Sequence, residues 1–177
     1  MTLVVGLAGW SGAGKTTLLS RLIPVLVARG LRVATIKHAH HAFDVDQEGK
    51  DSWIHRAAGA DSVLVCSARR WALMHELRGA PEPGLPELLG RLPAADLVLV
   101  EGFKRGPHPR LEVFRAANGK PPLHPDDPGI AGLVSDRSFP ESGLPAVSLD
   151  DVDGAAALAL DIARPAATMT GVDLLPD

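Results

Sequence analysis

Apolar positions along the chain gather into a few continuous runs, set apart by polar stretches rich in glycine and proline. Residues 3–8 (LVVGLA), 31–36 and 96–101 (DLVLVE) are apolar without alternation, the pattern of parallel strands covered on both faces. Between the first two, residues 14–29 carry Leu18, Leu19, Leu22, Ile23 and Leu26 at helical spacing, with Gly30 as a stop. Pro24 lies inside that span and predicts a kink. Strand, helix, strand in this order implies a right-handed crossover, with the first loop at the carboxyl edge of the sheet.

Further along, a second helix is predicted from about residues 49–52 to 59–60. Residues 62–66 and 71–75 read as a β-hairpin closed by Ser67-Ala68-Arg69-Arg70. Pro86 suits the first residue of a short helix through Arg91. Residues 111–115 form a short strand, and 116–129, with four prolines, are the least regular stretch. Buried-type strands follow at 130–134 and 145–149, and Asp150 or Asp151 caps a closing helix to Arg164. Trp71 and Met74 read as packing residues. The pattern predicts one domain, residues 1–164, with a tail at 165–177 and no internal repeat.

The chain has 177 residues, 46% of them hydrophobic, and a net charge of −3. That composition excludes disorder and gives no electrostatic reason to expect nucleic acid or a membrane as partner. The single cysteine, Cys66, has no internal disulfide partner, and no apolar run reaches the length of a membrane span. With the N-terminus entering a strand instead of a signal peptide, a cytoplasmic location is expected.

The chemistry enters at Gly9-Trp10-Ser11-Gly12-Ala13-Gly14-Lys15-Thr16, a full phosphate-loop pattern placed between strand and helix. Glycines let the backbone turn its N–H groups onto an anion, and the helix that follows adds its free amides and positive dipole end. Lys15 would reach the β and γ phosphates, the Thr16 hydroxyl would hold Mg²⁺, and Thr17 lies close enough for the α phosphate. Strands of the 96–101 type lie beside the first strand in such proteins, so the terminal Glu101 faces the Mg²⁺ or the attacking water. The fold class is therefore α/β: a three-layer P-loop NTPase with a mostly parallel sheet, helices on both faces and an antiparallel extension.

Successive motifs then narrow the family. Lys37-His38-x-His40-His41, Asp44-x-Asp46-x-x-Gly49-Lys50-Asp51-Ser52, Ala58-Gly59-Ala60, Arg70-Trp71-Ala72-Leu73-Met74 and Val100-Glu101-Gly102-Phe103-Lys104 together resemble the molybdopterin-guanine dinucleotide biosynthesis adapter proteins (MobB) over most of residues 3–136. The resemblance implies a dimerising GTP-binding protein that uses Mg²⁺ and hydrolyses GTP weakly. It also implies a partner, the guanylyltransferase that joins GMP to molybdopterin in molybdenum cofactor synthesis.

Around that core, several residues are open to two readings. His38, His40 and His41 either converge on a transition metal or line the site for the pterin or the partner enzyme. Asp46 and Asp51 either approach the Mg²⁺ or serve the second helix, Asp51 as its cap. Asp136 is a candidate acceptor for the N1 and N2 donors of guanine, although the usual Asn-Lys-x-Asp base signature is absent. Lys104, Arg105 and Arg70 are candidates for the pterin phosphate or for acidic residues of a partner, with solvated surface charge as the alternative. Trp10, too large to bury inside the loop, is a candidate contact to a second subunit. No residue stands out as an arginine finger. Two rival functions share the loop: a small-molecule kinase, and a nickel or zinc metallochaperone GTPase using the histidines.

Overall fold

The structure, a computed structural model, describes residues 1–39 and 43–169. In chain order the elements are β1 (Leu3–Ala8), α1 (Lys15–Ala28), β2 (Val33–Lys37), α2 (Asp51–Ala57), β3 (Ser62–Cys66), β4 (Trp71–His75), α3 (Leu85–Arg91), β5 (Leu97–Glu101), β6 (Arg110–Phe114), β7 (Ile130–Ser135), β8 (Ala146–Ser148), α4 (Val152–Ile162) and β9 (Arg164–Pro165). Two compact units result, one made of residues 1–38 and 84–177, the other of residues 39–83.

In the first unit a seven-stranded sheet runs β2-β5-β1-β6-β7-β8, with every one of these neighbours parallel. β5 has slid between β1 and β2. Leu7 and Lys37 therefore flank Glu101 on its two sides. β6 starts level with Gly6 and runs past the end of β1, and β9 pairs antiparallel with Leu3 and Val4 on the stretch before it.

One face of the sheet carries α1 and α4. Leu18, Leu22 and Leu26, one helical turn apart, are buried there with Val5, Leu7, Leu97, Leu99, Leu111 and Val113. Each buried leucine of this kind contributes about 1.5–3 kcal/mol. α1 runs unbroken through Pro24, whose ring lies on the exposed side. The opposite face carries α3 and the 3₁₀ turn at Ala166–Met169, packed on Val4, Ile36, Val98 and Val100. At α4 it is Asp151, not Asp150, that caps, accepting from the Gly154 N–H at 2.8 Å. No helix among the described residues is long and apolar enough to cross a membrane.

β6 departs from the expected pattern. All five of its residues are buried, Arg110 and Glu112 included. Glu112 accepts from the backbone N–H groups of Leu123 and His124 and stands 3.0 Å from His124 Nδ1. Arg110 donates to Asp127 at 2.6 Å and to the Gly106 carbonyl at 2.9 Å. These two charges fasten the proline-rich stretch that the sequence alone leaves shapeless. Ahead of β6, the 102–109 segment crosses β1 and lays the imidazole of His108 against Gly6. A Cβ at Gly6 would stand 2.5 Å from His108 Nε2, so this central-strand position requires glycine.

The second unit holds α2 and the β3–β4 hairpin, whose register pairs Leu64 with Leu73 and Cys66 with Trp71. Arg56 of α2 organises it, bonding Asp44 at 2.6 Å and Glu76 at 3.1 Å. Trp71 does not pack inward as expected: it is 58% exposed, on the same hairpin face as Leu64 and Leu73. Met74, on the other face, is half-buried.

Burial, with Arg110 close by, depresses the His108 pKa to about 4, Asp127 opposing. The folded state thus resists the proton. Its stability is full above the ordinary histidine value and is lost as pH falls from there through 4, an effect of about 3 kcal/mol. Lys104, Arg105, Asp126 and Arg164 also border the ring's surroundings. His108→Leu should flatten urea-denaturation stability between pH 6.5 and 4. An unchanged slope would refute the assignment. Asp96, drawn to about 2 by its hydrogen bonds from Arg32, loses its contribution only at lower pH and leaves this window clear.

Candidate functional site

The loop between β1 and α1 takes its shape from three left-handed glycines: Gly9 at φ +143°, Gly12 at +81° and Gly14 at +99°. Gly9 is also crowded, since a Cβ there would stand 2.5 Å from the Val113 carbonyl oxygen on the overhanging end of β6. Gly14 is the helix N-cap but offers no side chain, and the first turn of α1 holds no acid. The N–H groups of residues 14–17 consequently find no acceptor among the described residues. Such amides at a helix start form an anion site with a partial positive charge.

Lys15 folds back over this loop. Its ammonium donates to the carbonyls of Gly9 at 2.7 Å and Trp10 at 3.1 Å. Burial lowers its pKa; Glu101 works against that, while Lys104 and Lys37 add to it. Four charged groups thus share one field: three cations and the Glu101 carboxylate. The hydroxyl of Thr16 and the carboxylate of Glu101 have no hydrogen-bond partner among the described residues, so both remain available to a hard cation such as Mg²⁺.

The turn after Glu101 is strained. Gly102 sits at φ +98° and Phe103, a bulky residue, at φ +49°. A Cβ on Gly102 would meet His38 Cβ at 2.5 Å, and the Phe103 ring lies 4.9 Å from the His38 imidazole. The His38 N–H donates to the Glu101 carbonyl at 2.8 Å. His38 therefore braces the Glu101 turn. His40 and His41 lie outside the described residues.

The residues after β6 form the other wall. Trp10 is 42% exposed, with its indole N–H donating to the Pro121 carbonyl at 2.8 Å and the Lys120 ammonium 6.0 Å from its ring. Asn118 donates to the Ser11 carbonyl at 3.1 Å. Arg115 lays its guanidinium against Gly14, with Nη2 3.6 Å from where a Cβ would stand, and has no ion-pair partner among the described residues. Asp136 accepts from the Ala116 N–H at 2.8 Å and so holds the same segment. Arg115 and Asn118 escape a sequence reading because no consensus spacing marks them. The available hint was a strand ending in Phe114 with Arg115 next, at the carboxyl edge where the loop lies.

Other candidates fall in the second unit. Asp46 accepts from the Ser52 hydroxyl at 2.7 Å and faces Arg56 Nε at 3.7 Å. Asp51 is the first residue of α2, where its charge suits the helix dipole, and it makes no capping bond. Arg70 closes the β3–β4 turn, its N–H donating to Ser67 Oγ at 3.2 Å. Among the described residues, no three His, Cys, Asp or Glu side chains gather in a way that would hold a metal ion.

A family model, molybdopterin guanine dinucleotide synthesis protein B, matches residues 4–136. Over 121 residues the chain is 46% identical to the molybdopterin-guanine dinucleotide biosynthesis adapter protein of Haemophilus influenzae, covering 67% of this chain and 66% of that protein. It is 48% identical over 121 residues to the protein of the same name from Escherichia coli, covering 67% and 69%. The chain thus spans about two thirds of the length of these relatives. A solved structure, described as molybdopterin-guanine biosynthesis protein B (mobB), superposes with a TM-score of 0.72 at 29% identity, covering 90% of this chain and 97% of that one.

Gly9→Ala tests how firmly the loop is set. The added methyl meets the Val113 carbonyl in a left-handed conformation, which should cost about 2–3 kcal/mol in urea denaturation. A loss below 0.5 kcal/mol would show that the loop adapts freely.

Proposed function

The chain belongs to the molybdopterin guanine dinucleotide synthesis protein B family, and from that premise we propose that it is a GTP-binding adapter of molybdopterin-guanine dinucleotide biosynthesis. In this reading it binds GTP with Mg²⁺, hydrolyses it slowly, and assists the cytoplasmic guanylyltransferase that joins GMP to molybdopterin. The observation that carries the reading is the run of amides at residues 14–17 that find no acceptor among the described residues, with the Lys15 ammonium held over the same loop.

Each residue then has a task. Backbone amides of residues 10–16 and the Lys15 ammonium bind the triphosphate, and Thr17 meets the α phosphate. Thr16 and Glu101 would hold Mg²⁺, which would neutralise charge on the β and γ phosphates. Asp136 spends one oxygen on the Ala116 N–H, and the other serves as acceptor for guanine. Arg115 supplies a further cation along the loop. His38, with His40 and His41, and the basic Lys104 and Arg70 serve the pterin or the partner enzyme.

A homodimer belongs to the same reading. Leu64, Trp71 and Leu73 are 60%, 58% and 53% exposed on one hairpin face, a patch suited to cover by a second copy.

Titration calorimetry with GTP and ATP, with and without Mg²⁺ and the guanylyltransferase, tests the reading. GTP should bind at least tenfold tighter than ATP, and the partner should bind without acceptor-dependent turnover. Lys15→Ala should cost about 3 kcal/mol, a hundredfold or more, and Arg115→Ala about 1.4 kcal/mol, tenfold. ATP preference, or rapid phosphate transfer to a small acceptor, would overturn the adapter in favour of a kinase. Separately, Leu73→Glu should shift the mass seen by light scattering from dimer to monomer at unchanged GTP affinity. A wild-type protein that is already monomeric at micromolar concentration removes the dimer.

A further inference from the structure

A cavity of about 750 Å³ lies between the 104–109 crossing, the Asp126–Gly129 turn and Arg164 at the start of β9, and the nucleotide reading does not use it. Its volume is in the range of small-molecule sites. One wall is rigid. The buried Arg110 guanidinium, tied to Asp127 and to the Gly106 carbonyl, is neutralised where it stands. Pro107, Pro109 and Pro128 give stiff apolar surface beside it.

Its remaining charge is positive. Among the described residues, Lys104 makes no hydrogen bond or ion pair, and the only side-chain bond of Arg164 is a 3.4 Å contact to the adjacent Ala163 carbonyl. Beyond the paired Asp127, only Asp126 among the lining carboxylates stands near these two cations. This concentration of cations occurs in a chain of net charge −3. The wall also holds His108, 1% exposed, with neither ring nitrogen hydrogen-bonded among the described residues. Glycines at 6 and 106 make room for the ring, since Cβ atoms there would stand 2.5 and 2.6 Å from its nitrogens. A central strand has given up a side chain to seat an imidazole that bonds nothing among the described residues. That is the signature of a wall kept for something other than core packing.

We propose that this cavity is a second ligand site, distinct from the phosphate loop, that takes an organic phosphate monoester. The phosphate, with nearly two negative charges at neutral pH, sits between Lys104 and Arg164, and the organic body fills the space along the prolines and His108. A bare phosphate would leave most of the volume empty. That the ester is a phosphorylated pterin rests on the biosynthetic reading above; the site itself does not. Lys104 lies near enough to Lys15 to affect its titration, so the two sites are neighbours in one unit.

The test uses full-length protein carrying Lys15→Ala, which disables the phosphate loop, titrated with inorganic phosphate and with a pterin monophosphate. One equivalent of the pterin monophosphate should bind, with inorganic phosphate binding more weakly and competing. Arg164→Glu in the same background should weaken binding at least tenfold, and Lys104→Glu should do the same. Amide resonances of residues 104–110 and 127–131 should shift. Absence of saturable binding, an affinity unmoved by both charge reversals, or shifts confined to residues 9–17 would overturn the proposal. Arg164 is exposed, so its variant should keep the wild-type melting temperature, and with Lys15 restored it should bind GTP as wild type does. A wild-type protein that fails to bind GTP while the Lys15→Ala protein binds the pterin ester would defeat the nucleotide reading alone.

Discussion

Four backbone N–H groups at the head of α1 have no partner among the described residues, and the rest of the first unit holds them in that state. Unpaired amides ordinarily draw the backbone into another turn or recruit a side-chain cap. Here both escapes are closed. Gly9 is pressed against the Val113 carbonyl, Gly14 caps without a side chain, and Lys15 occupies the carbonyls of Gly9 and Trp10. The contact at Val113 exists only because β6 begins late, level with Gly6, and therefore overruns the end of β1. The offset of one strand thus sets the conformation of the loop.

That offset has its own requirements. A late β6 leaves the edge of the first half of β1 that faces away from β5 open, and β9 fills the gap beside Leu3 and Val4. It also obliges the chain leaving β5 to cross β1 within eight residues, 102–109, which explains the left-handed pair Gly102 and Phe103 and the glycine at 6 beneath His108. Glu112 and Arg110 then hold the long connection from β6 to β7 by charged hydrogen bonds where no helix covers it. The oddities of this unit are therefore linked, each following from where β6 starts.

Much of this was legible in the sequence. The hairpin at 62–66 and 71–75 has the bounds that alternation and the Ser67–Arg70 connection predict, and Leu3–Ala8 and the helix after the glycine loop follow from apolar spacing. Glu101 could be placed at a strand end by the run of residues 96–101. Less legible were groups whose role depends on partners distant in sequence. Arg110 and Glu112 alternate with apolar residues, a pattern that reads as one solvated face, yet their partners at Asp127 and Leu123–His124 bury them. Trp71 misled in the opposite sense, since an aromatic on a short strand suggests packing, and this two-stranded sheet leaves one face open. Arg115 carries no motif at all. Its place at Gly14 comes from the overrun of β6, which no local spacing encodes.

The Glu101 turn is where the strand beside the glycine loop passes into the basic crossing. Glu101 ends the strand that lies between β1 and β2, and its backbone carbonyl is held by the His38 N–H. Two residues later the chain passes through a left-handed phenylalanine stacked on the same histidine. One residue further it presents Lys104, and then enters the crossing that carries His108. Strained residues persist only where their surroundings over-determine them. At Gly102 the backbone lies so close to His38 that a Cβ would stand 2.5 Å from the His38 Cβ, so the turn is closely packed as well as strained. The same short segment thus joins the end of the strand beside the glycine loop to the wall of the basic cavity.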